Sequence, residues 1–366
     1  MKVSIVFLGS TGAGPVYSYE FAKALLATGR CDIQVIISKE SKNLDIWTKT
    51  FNLPNVSFHC IDTYKHTPFR VALSFIQFWK TRKLVQLIKE FNPDFVFFPF
   101  GLTWSSIIFP QIARFSKIIN TIHDPHPHDK IYNPLILCLN YFSTKAQKYV
   151  SGNVILNNAD RKYVYDKYKK PIVVIPHATF DYYITGSGTK TNTLTHRIGF
   201  VGRIEPYKGL DLLVDYFDQT PNMDLELIIA GSGKIEDDIL DKINKDKRIV
   251  LINRYIHDDE FNKIFKEIDL LVLPYKRASQ SGVIPMSFAF STPVIATNVG
   301  ALSEQVPIGT GVLITPDIVS ISKALTELYA NPSSILEMGK KAKKYADNHL
   351  SWSHSAKSLL EFVSNL

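Results

Sequence analysis

The sequence predicts an α/β protein made of two Rossmann-like domains, each built on its own parallel sheet. The chain has 366 residues, which exceeds what one hydrophobic core usually holds, so two domains are expected. Short, continuously apolar segments alternate with amphipathic ones, which is typical of strands buried on both faces. Gly, Ser, Thr and Asn dominate residues 185–196, and this composition indicates a linker between the halves.

In the first half, strands are predicted wherever an apolar run is too short for a helix. Val3–Gly9 is the first strand, and Pro15–Thr28 is the helix that follows it. A helical pattern over Val71–Phe91 ends at Asn92 and Pro93, because proline cannot continue a helix. The other predicted strands are Ile33–Ser38, Val56–Ile61, Asp94–Phe100, Lys117–Ile122, Val154–Asn158 and Ile172–Pro176. Together these elements predict an N-terminal domain over residues 1–184.

The same alternation restarts after the linker and predicts a C-terminal domain over residues 197–350. Helices are expected at about 207–217, 257–267, 282–291 and 318–330. The predicted strands are Arg197–Arg203, Leu225–Gly231, Arg248–Ile252, Asp269–Pro274, Pro293–Thr297 and Gly311–Thr315. Residues 351–366 are expected to form a last helix that packs back on the N-terminal domain, with Trp352 marking the returning segment.

Charge and cysteine content narrow the classes of partner and compartment. Lys and Arg number 42 against 34 Asp and Glu, so the net charge is +8. This excess suits an anionic partner, which leaves nucleotide phosphates, nucleic acid and anionic membranes open. The three cysteines are widely spaced, so no disulfide framework is expected and a cytoplasmic location is the default. No apolar run approaches the roughly 18 residues that would span a bilayer.

The first loop of the chain is rich in glycine and leads into a helix. Gly12 and Gly14 follow the first predicted strand, where glycines allow backbone N–H groups to approach a phosphate. Neither common dinucleotide-binding spacing fits, because Pro15 and Tyr17 occupy positions that need glycine. The loop is therefore expected to bind an anion, with a tight turn that holds no ligand as the alternative.

Two cations follow the first strand of the second half. Arg203 and Lys208 lie five residues apart between a strand and a helix. Ligands of open α/β sheets bind beyond the carboxyl ends of the strands, and two fixed cations suit a diphosphate. A solvated pair on a loop is the alternative, against which the flanking glycines count.

A second candidate loop lies between Pro274 and the strand at Pro293. It carries Gln280, Ser281 and Gly282 immediately before an apolar helix that starts near Val283. Small residues at a helix N-terminus offer backbone N–H groups to an anion. The loop is therefore a second candidate for phosphate contact, a plain connection being the alternative.

With these motifs in place, the chain resembles the retaining nucleotide-sugar glycosyltransferases of family 4 (group 1), of the bacterial polysaccharide-assembly type. The resemblance covers nearly the whole chain and is strongest from 197 to 315. It rests on Gly202-Arg203, Lys208-Gly209, the Ala-Gly-Ser-Gly at 230–233, Leu271 to Glu304, His123-Asp124-Pro125, and Val174 to Ala178. It implies a GT-B fold, in which two Rossmann-like domains face a central cleft.

The resemblance also implies roles for individual residues. Arg203 and Lys208 hold the donor diphosphate, and the backbone N–H groups of Gly282 and Val283 grip its phosphate. His123 lies near the transferred sugar, and the Gly12–Gly14 loop touches phosphate and acceptor. No metal and no cofactor are expected. The implied partners are a nucleotide-sugar donor and a glycan acceptor, commonly lipid-linked, for lipopolysaccharide or capsule synthesis at the inner face of the membrane.

One departure from the family pattern concerns its two glutamates spaced E-x7-E. The corresponding positions hold Ala278 and Met286, and no Glu occurs between Glu267 and Glu304. The loop Gln-Ser-Gly resembles a subset of polysaccharide-assembly enzymes, in which Gln280 and Ser281 would contact the sugar. Glu304 is a candidate for the ribose contact, and a structural role for it is equally open.

Two further segments carry open alternatives. His123, His126 and His128 invite a zinc hypothesis, but an acceptor loop with His123 or Asp124 near the reacting sugar is favoured. Residues 64–90 combine basic and aromatic side chains in a helical pattern, which indicates either contact with a membrane surface or a core helix with a solvated basic face.

Three other functions remain as alternatives. A nucleotide-sugar epimerase would need carboxylates that the second-half loop lacks. A non-catalytic homologue or partner subunit would explain the missing glutamate pair. A nucleic-acid binder is the weakest alternative, because the basic residues are spread along the chain and form no recognisable module.

Overall fold

The structure, a computed structural model, describes residues 1–10, 12–63, 78–126, 134–179 and 193–366. It divides into two compact units, the first comprising Met1–Pro176 with Trp352–Leu366 and the second His177–Ser351. The predicted domain boundary at 184 and residues 185–192 of the predicted linker lie outside the described residues. Residues 64–77 of the predicted basic helix do so as well.

Among its described residues, the first unit contains a seven-stranded sheet in which all neighbouring strands are parallel. Its strands are β1 (Lys2–Phe7), β2 (Asp32–Ser38), β3 (Val56–Ile61), β4 (Phe95–Phe98), β5 (Lys117–Ile122), β6 (Gly152–Ile155) and β7 (Ile172–Val174). Their order across the sheet is β3-β2-β1-β4-β5-β6-β7. The strands therefore run outward in both directions from β1 and β4, which makes that pair the switch point of the sheet.

Helices cover this sheet, in which β4 and β6 are buried along their whole length and β1 and β2 are buried after their first residue. They are α1 (Gly14–Ala27), α2 (Leu44–Phe51), α3 (Phe78–Phe91), α4 (Ser105–Ile112), α5 (Pro134–Ala146), α6 (Arg161–Tyr168) and, from the end of the chain, α14 (Trp352–Ser364). The last helix packs on α1, where the Trp352 ring lies 5.2 Å from that of Tyr17 and 5.8 Å from that of Phe21, between centroids.

The second unit repeats the architecture with a six-stranded parallel sheet among its described residues. Its strands are β8 (Arg197–Val201), β9 (Glu226–Gly231), β10 (Ile249–Asn253), β11 (Leu270–Leu273), β12 (Val294–Thr297) and β13 (Gly311–Ile314). The order β10-β9-β8-β11-β12-β13 puts the switch point between β8 and β11. The loops that leave β8 and β11 therefore meet at the edge where ligands of such sheets bind.

The helices of the second unit separate its strands, as the alternating pattern predicts. They are α7 (Leu210–Gln219), α8 (Asp237–Lys245), α9 (Asp258–Glu267), α10 (Val283–Ala289), α11 (Leu302–Gln305), α12 (Ile318–Ala330) and α13 (Pro332–His349). The prediction of an α/β fold with two parallel sheets is confirmed. Over the part of the chain that the structure describes, no helix combines the length and apolar character needed to cross a membrane.

Candidate functional site

The candidate site of the second unit begins where β8 ends. Gly202 and Arg203 follow the strand directly, and a short 3-10 turn at Pro206–Lys208 leads into α7. Ile204 forms a single parallel bridge with Gly233. Arg203 and Lys208 are thereby held at the carboxyl end of β8, at the switch point of the sheet.

Lys208 is a buried cation, only 8% exposed. Its Nζ lies 5.4 Å from the centroid of the Tyr275 ring, and a Cβ built on Gly202 would lie 3.2 Å from the same atom. Burial, and secondarily the charge of Arg203, lowers the pKa of Lys208 to about 8. Within the described ranges no carboxylate lies within 4 Å of Nζ to form an ion pair. A desolvated ammonium of this kind is stabilised by an anion that binds beside it.

Arg203, in contrast, is open to solvent, with 74% of its side chain exposed. Its Nη1 lies 3.8 Å from Glu205 Oε1, at the outer limit of an ion pair. Its charge is the second cause of the lowered pKa of Lys208, so the two cations influence each other. The pair therefore combines a fixed buried charge with an adaptable exposed one.

The loop after β11 lies against the same point. Val283, the first residue of α10, has its Cγ2 3.4 Å from the Cβ position of Gly202. Ser281 is buried, and Gln280 Oε1 is buried without a hydrogen-bond partner among the described residues. The structure therefore brings Arg203, Lys208 and the loop at 280–283 together, as the positions of their strands predict.

Residues that the sequence analysis did not single out support this loop. Tyr275 is buried, and its ring forms the wall beneath Lys208. Gln305, the last residue of α11, accepts a hydrogen bond from Ser281 N at 2.7 Å and donates one to Ser281 O at 3.0 Å. Its neighbour Glu304 is exposed on the same short helix. The contact between Ser281 and Gln305 joins residues 24 apart, and no spacing rule predicts it.

His177 is placed beside the loop from another direction. It is buried, its Nε2 lies 3.5 Å from the Cβ position of Gly282, and its Nδ1 lies 3.0 Å from Ala178 O. The Val-Ile-Pro-His-Ala segment, which contributes to the family resemblance, thus supplies a side chain against the phosphate-contact candidate.

The candidate residues of the first unit gather around the end of β5. His123 Nε2 lies 2.9 Å from Pro99 O, and because a carbonyl only accepts, Nε2 carries the proton. The His123 ring lies 4.1 Å from that of Phe100 and 4.8 Å from that of Tyr17. Desolvation lowers the pKa of His123, so its neutral form is favoured and Nδ1 is left as an acceptor.

The glycine loop lies next to the same aromatic ring. Gly14 begins α1, and a Cβ built on it would lie 3.1 Å from Phe7 and 3.5 Å from Phe100. Gly12 adopts a φ of 78° and has open space on its Cβ side. Packing against aromatic rings thus accounts for Gly14, and Gly12 fits a tight turn. Thr11, which precedes Gly12, lies outside the described residues.

The histidine loop that suggested zinc is tied down by a protein contact. His126 Nε2 lies 3.2 Å from Asp160 Oδ1, and Asp160 also accepts from Asn157 Nδ2 at 2.8 Å. Asp124 is exposed, and His128 lies outside the described residues. Where side chains are described, no three His, Cys, Asp or Glu residues lie close enough to hold a metal ion.

Comparison with known proteins gives a family match for the second unit. Residues 195–331 match the family described as "Glycosyl transferases group 1". A D-inositol 3-phosphate glycosyltransferase from Corynebacterium urealyticum is 24% identical over 283 residues, covering 68% of this chain and 66% of that protein. One from Rhodococcus opacus is 30% identical over 180 residues, covering 45% and 40%. The chain thus matches less than two thirds of the length of either relative.

Solved structures share the fold over the whole chain. HepE from Anabaena, crystallised with UDP, is 15% identical with a TM-score of 0.74 and full coverage of both chains. Sucrose-phosphate synthase from Thermosynechococcus elongatus is 15% identical with a TM-score of 0.71, covering 99% of this chain and 98% of its own. These matches confirm the predicted GT-B fold, and the family match over residues 195–331 confirms the resemblance to group 1 glycosyltransferases.

Proposed function

We propose that this chain, whose residues 195–331 form a group 1 glycosyltransferase domain, moves a sugar from a nucleoside diphosphate to a hydroxyl acceptor with retention of configuration. The observation that carries the proposal is the buried ammonium of Lys208, which forms no ion pair within 4 Å among the described residues, beside Arg203 at the switch point of the second sheet. A diphosphate supplies the negative charge that this pair lacks.

The two cations act on the leaving group. As the bond between the anomeric carbon and the phosphate oxygen breaks, negative charge grows on the diphosphate. Lys208 is buried, so its attraction for this charge is screened less than it would be in water. The acceptor oxygen bonds to the anomeric carbon on the same face, and the departing phosphate oxygen takes the acceptor proton. This step conserves charge and requires no enzymic nucleophile.

The sugar is assigned to the loop before α10. The unpartnered Oε1 of Gln280 can accept a hydrogen bond from a sugar hydroxyl, and Ser281 is the neighbouring polar group. The backbone N–H groups of Gly282 and Val283 are assigned to phosphate, and exposed Glu304 to the ribose. No glutamate occurs between Glu267 and Glu304, so the amide of Gln280 takes the sugar contact that a glutamate makes in the family pattern.

Acceptor contacts are assigned to the first unit. The neutral His123 ring offers Nδ1 as an acceptor, which suits a hydroxyl better than a charged group. Asp124 follows it on the surface, and the Gly12–Gly14 turn lies on the neighbouring β1–α1 connection. Within the proposal, these groups orient the acceptor rather than form a bond to the sugar.

We propose that the acceptor is a lipid-linked glycan of polysaccharide assembly, which the protein reaches at the inner face of the membrane. Its support is an exposed apolar face on α5: Leu137, Tyr141 and Phe142 are each about half exposed, and Lys145 Nζ lies 5.5 Å from the Tyr141 ring. Aromatic and aliphatic side chains beside lysine are typical of helices that lie on anionic membranes.

This membrane contact is tested by vesicle flotation. Wild type is expected to float with vesicles in which about one third of the lipid is anionic. The double variant Tyr141→Ser, Phe142→Ser is expected to remain in the soluble fraction, because each aromatic ring buries a large apolar area in the lipid interface. Leu53→Ser, an exposed apolar residue on the α2–β3 connection, is the control. Equal flotation of the double variant and the control would contradict the proposal.

The transfer activity is tested with UDP-, GDP- and ADP-glucose, by release of the nucleoside diphosphate to water in the absence of an acceptor. We expect turnover with at least one donor and a loss of about a hundredfold in Arg203→Ala, since removing one transition-state donor costs about that much. Lys323→Ala is a matched control, because its side chain is also 74% exposed but lies on α12.

The outcomes separate the alternatives. Binding of a nucleotide sugar without turnover would favour a non-catalytic homologue. Conversion of the donor sugar to its epimer would favour the epimerase. Equal activity of wild type and Arg203→Ala would reject the assigned role of the cation pair.

A further inference from the structure

We propose that Gln305 is a positioning residue that holds the 278–282 loop in the conformation that receives the nucleotide sugar. The inference rests on the proposed function for the identity of the ligand. The contact itself is a two-point clamp, in which one amide side chain satisfies both the N–H and the C=O of Ser281.

The clamp matters because no regular secondary structure fixes this loop. Between the end of β11 at Leu273 and the start of α10 at Val283 the backbone is irregular. Near its start, Lys276 N donates to Tyr207 O at 2.7 Å and Tyr275 O accepts from Thr297 Oγ1 at 2.6 Å. Buried backbone groups need partners, and among the described side chains Gln305 hydrogen-bonds both the N–H and the C=O of Ser281. Gln280 and Gly282, on either side of Ser281, are the groups assigned to sugar and phosphate.

A second contact from the same segment fixes the start of the loop. Gly300 adopts a φ of 53°, and a Cβ built on it would lie 1.6 Å from Ala278 O, so only glycine permits this approach. The turn and short helix from 300 to 305 therefore touch the loop at Ala278 and at Ser281. One segment therefore contacts the loop on both sides of its two intervening residues, Ser279 and Gln280.

Amide hydrogen exchange tests the clamp without any ligand. Gln305→Met keeps the length of the side chain but removes both hydrogen bonds, so the Ser281 amide is expected to exchange at least about tenfold faster. Gln219→Met, which changes the last residue of α7 in the same unit, should leave that amide unchanged. Gln305→Glu keeps the acceptor but loses the donor, and an intermediate rate is expected.

The functional part is tested by calorimetric titration with UDP, GDP and ADP. For whichever nucleotide the wild type binds, Gln305→Met is expected to weaken affinity about tenfold, since the loop must then be ordered on binding. The melting temperature should fall by only a few degrees, because the lost hydrogen bonds are confined to one loop, and affinity is compared well below both melting temperatures. Gln305→Glu should restore part of the affinity.

Different results would contradict the positioning role of Gln305 and the proposed function. Unchanged Ser281 exchange in Gln305→Met, or unchanged affinity despite faster exchange, would overturn the positioning role while the proposed function stands. Failure of the wild type to bind any of the three nucleotides would overturn the proposed function, and with it the ligand that this inference names.

Discussion

Replacing Lys208 with methionine is expected to raise the free energy of unfolding at pH 7 and, at the same time, to abolish nucleoside diphosphate binding. Methionine has a similar length and removes a buried charge that no carboxylate neutralises among the described residues. Exchanging buried ionic groups for apolar ones is often neutral or stabilising by about 1–4 kcal/mol. Losing the charge should weaken affinity by about a hundredfold or more, because truncating one partner of a buried pair costs about 2–5 kcal/mol.

The pH dependence identifies the cause of the stability change. The pKa of Lys208 is about 8 in the folded protein, against its ordinary value of 10.5 in an unfolded chain, so the unfolded chain binds more protons between these pH values. Stability of the wild type therefore rises with pH through that window, while Lys208→Met lacks this contribution. The stability advantage of the variant is expected to be largest below pH 8 and to shrink towards pH 10.5, as urea denaturation at several pH values can measure.

A paired lysine of the same unit supplies the control. Lys242 Nζ lies 2.6 Å from Asp215 Oδ1, so Lys242→Met should leave nucleotide binding intact and should not raise stability, because it removes a paired charge rather than a buried one. If Lys208→Met were less stable than wild type at pH 7, the ammonium would not be the unneutralised charge described above. If it bound nucleoside diphosphate normally, the assigned site would be wrong.

The sequence predicts this architecture well where a strand is buried on both faces. β11 (Leu270–Leu273) lies inside the predicted Asp269–Pro274, because a fully buried strand is apolar at every position. The loops after β8 and β11 follow from the same rule, since parallel strands present their carboxyl ends at one edge. The sequence alone therefore predicts that Arg203, Lys208 and Gln280 lie at this edge of the sheet.

Helices with weak apolar patterns were harder to predict. α6 buries only Val164 among its described side chains and is otherwise rich in tyrosine and lysine, so no periodicity marks it. α4 contains Pro110, which argues against a helix when only the sequence is read. Both helices depend on the sheet beneath them rather than on their own pattern.

Contacts between distant segments account for what the sequence did not predict about the site. The burial of Lys208 depends on Tyr275, which lies 67 positions later in the sequence, and on the glycine at 202. The hydrogen bonds of Gln305 depend on where a short helix ends relative to a loop. Such features arise from packing and leave no signal in spacing or composition.

Trp352→Ala is expected to destabilise the first unit by about 3–5 kcal/mol, the cost typical of removing a buried tryptophan. Trp352 is 5% exposed and packs on Tyr17 and Phe21 of α1, so its loss opens a cavity between the first and last helices of this unit. Chemical denaturation followed by near-UV circular dichroism measures the change. Trp79→Ala is the control, because that ring is 57% exposed and its removal should cost less than about 0.5 kcal/mol.

Trp352→Ala is also expected to change the surroundings of His123, because Tyr17 contacts both rings. Tyr17 contacts Trp352 on one side and His123 on the other, with ring centroids 5.2 Å and 4.8 Å apart. Desolvation lowers the pKa of His123, so water admitted by a loosened Tyr17 should raise that pKa towards its ordinary value. An NMR titration of the His123 ring measures this shift in Trp352→Ala, with Trp79→Ala as the reference. A lower stability with an unchanged His123 pKa would show that the last helix supports the fold without affecting the ring that we assign to the acceptor.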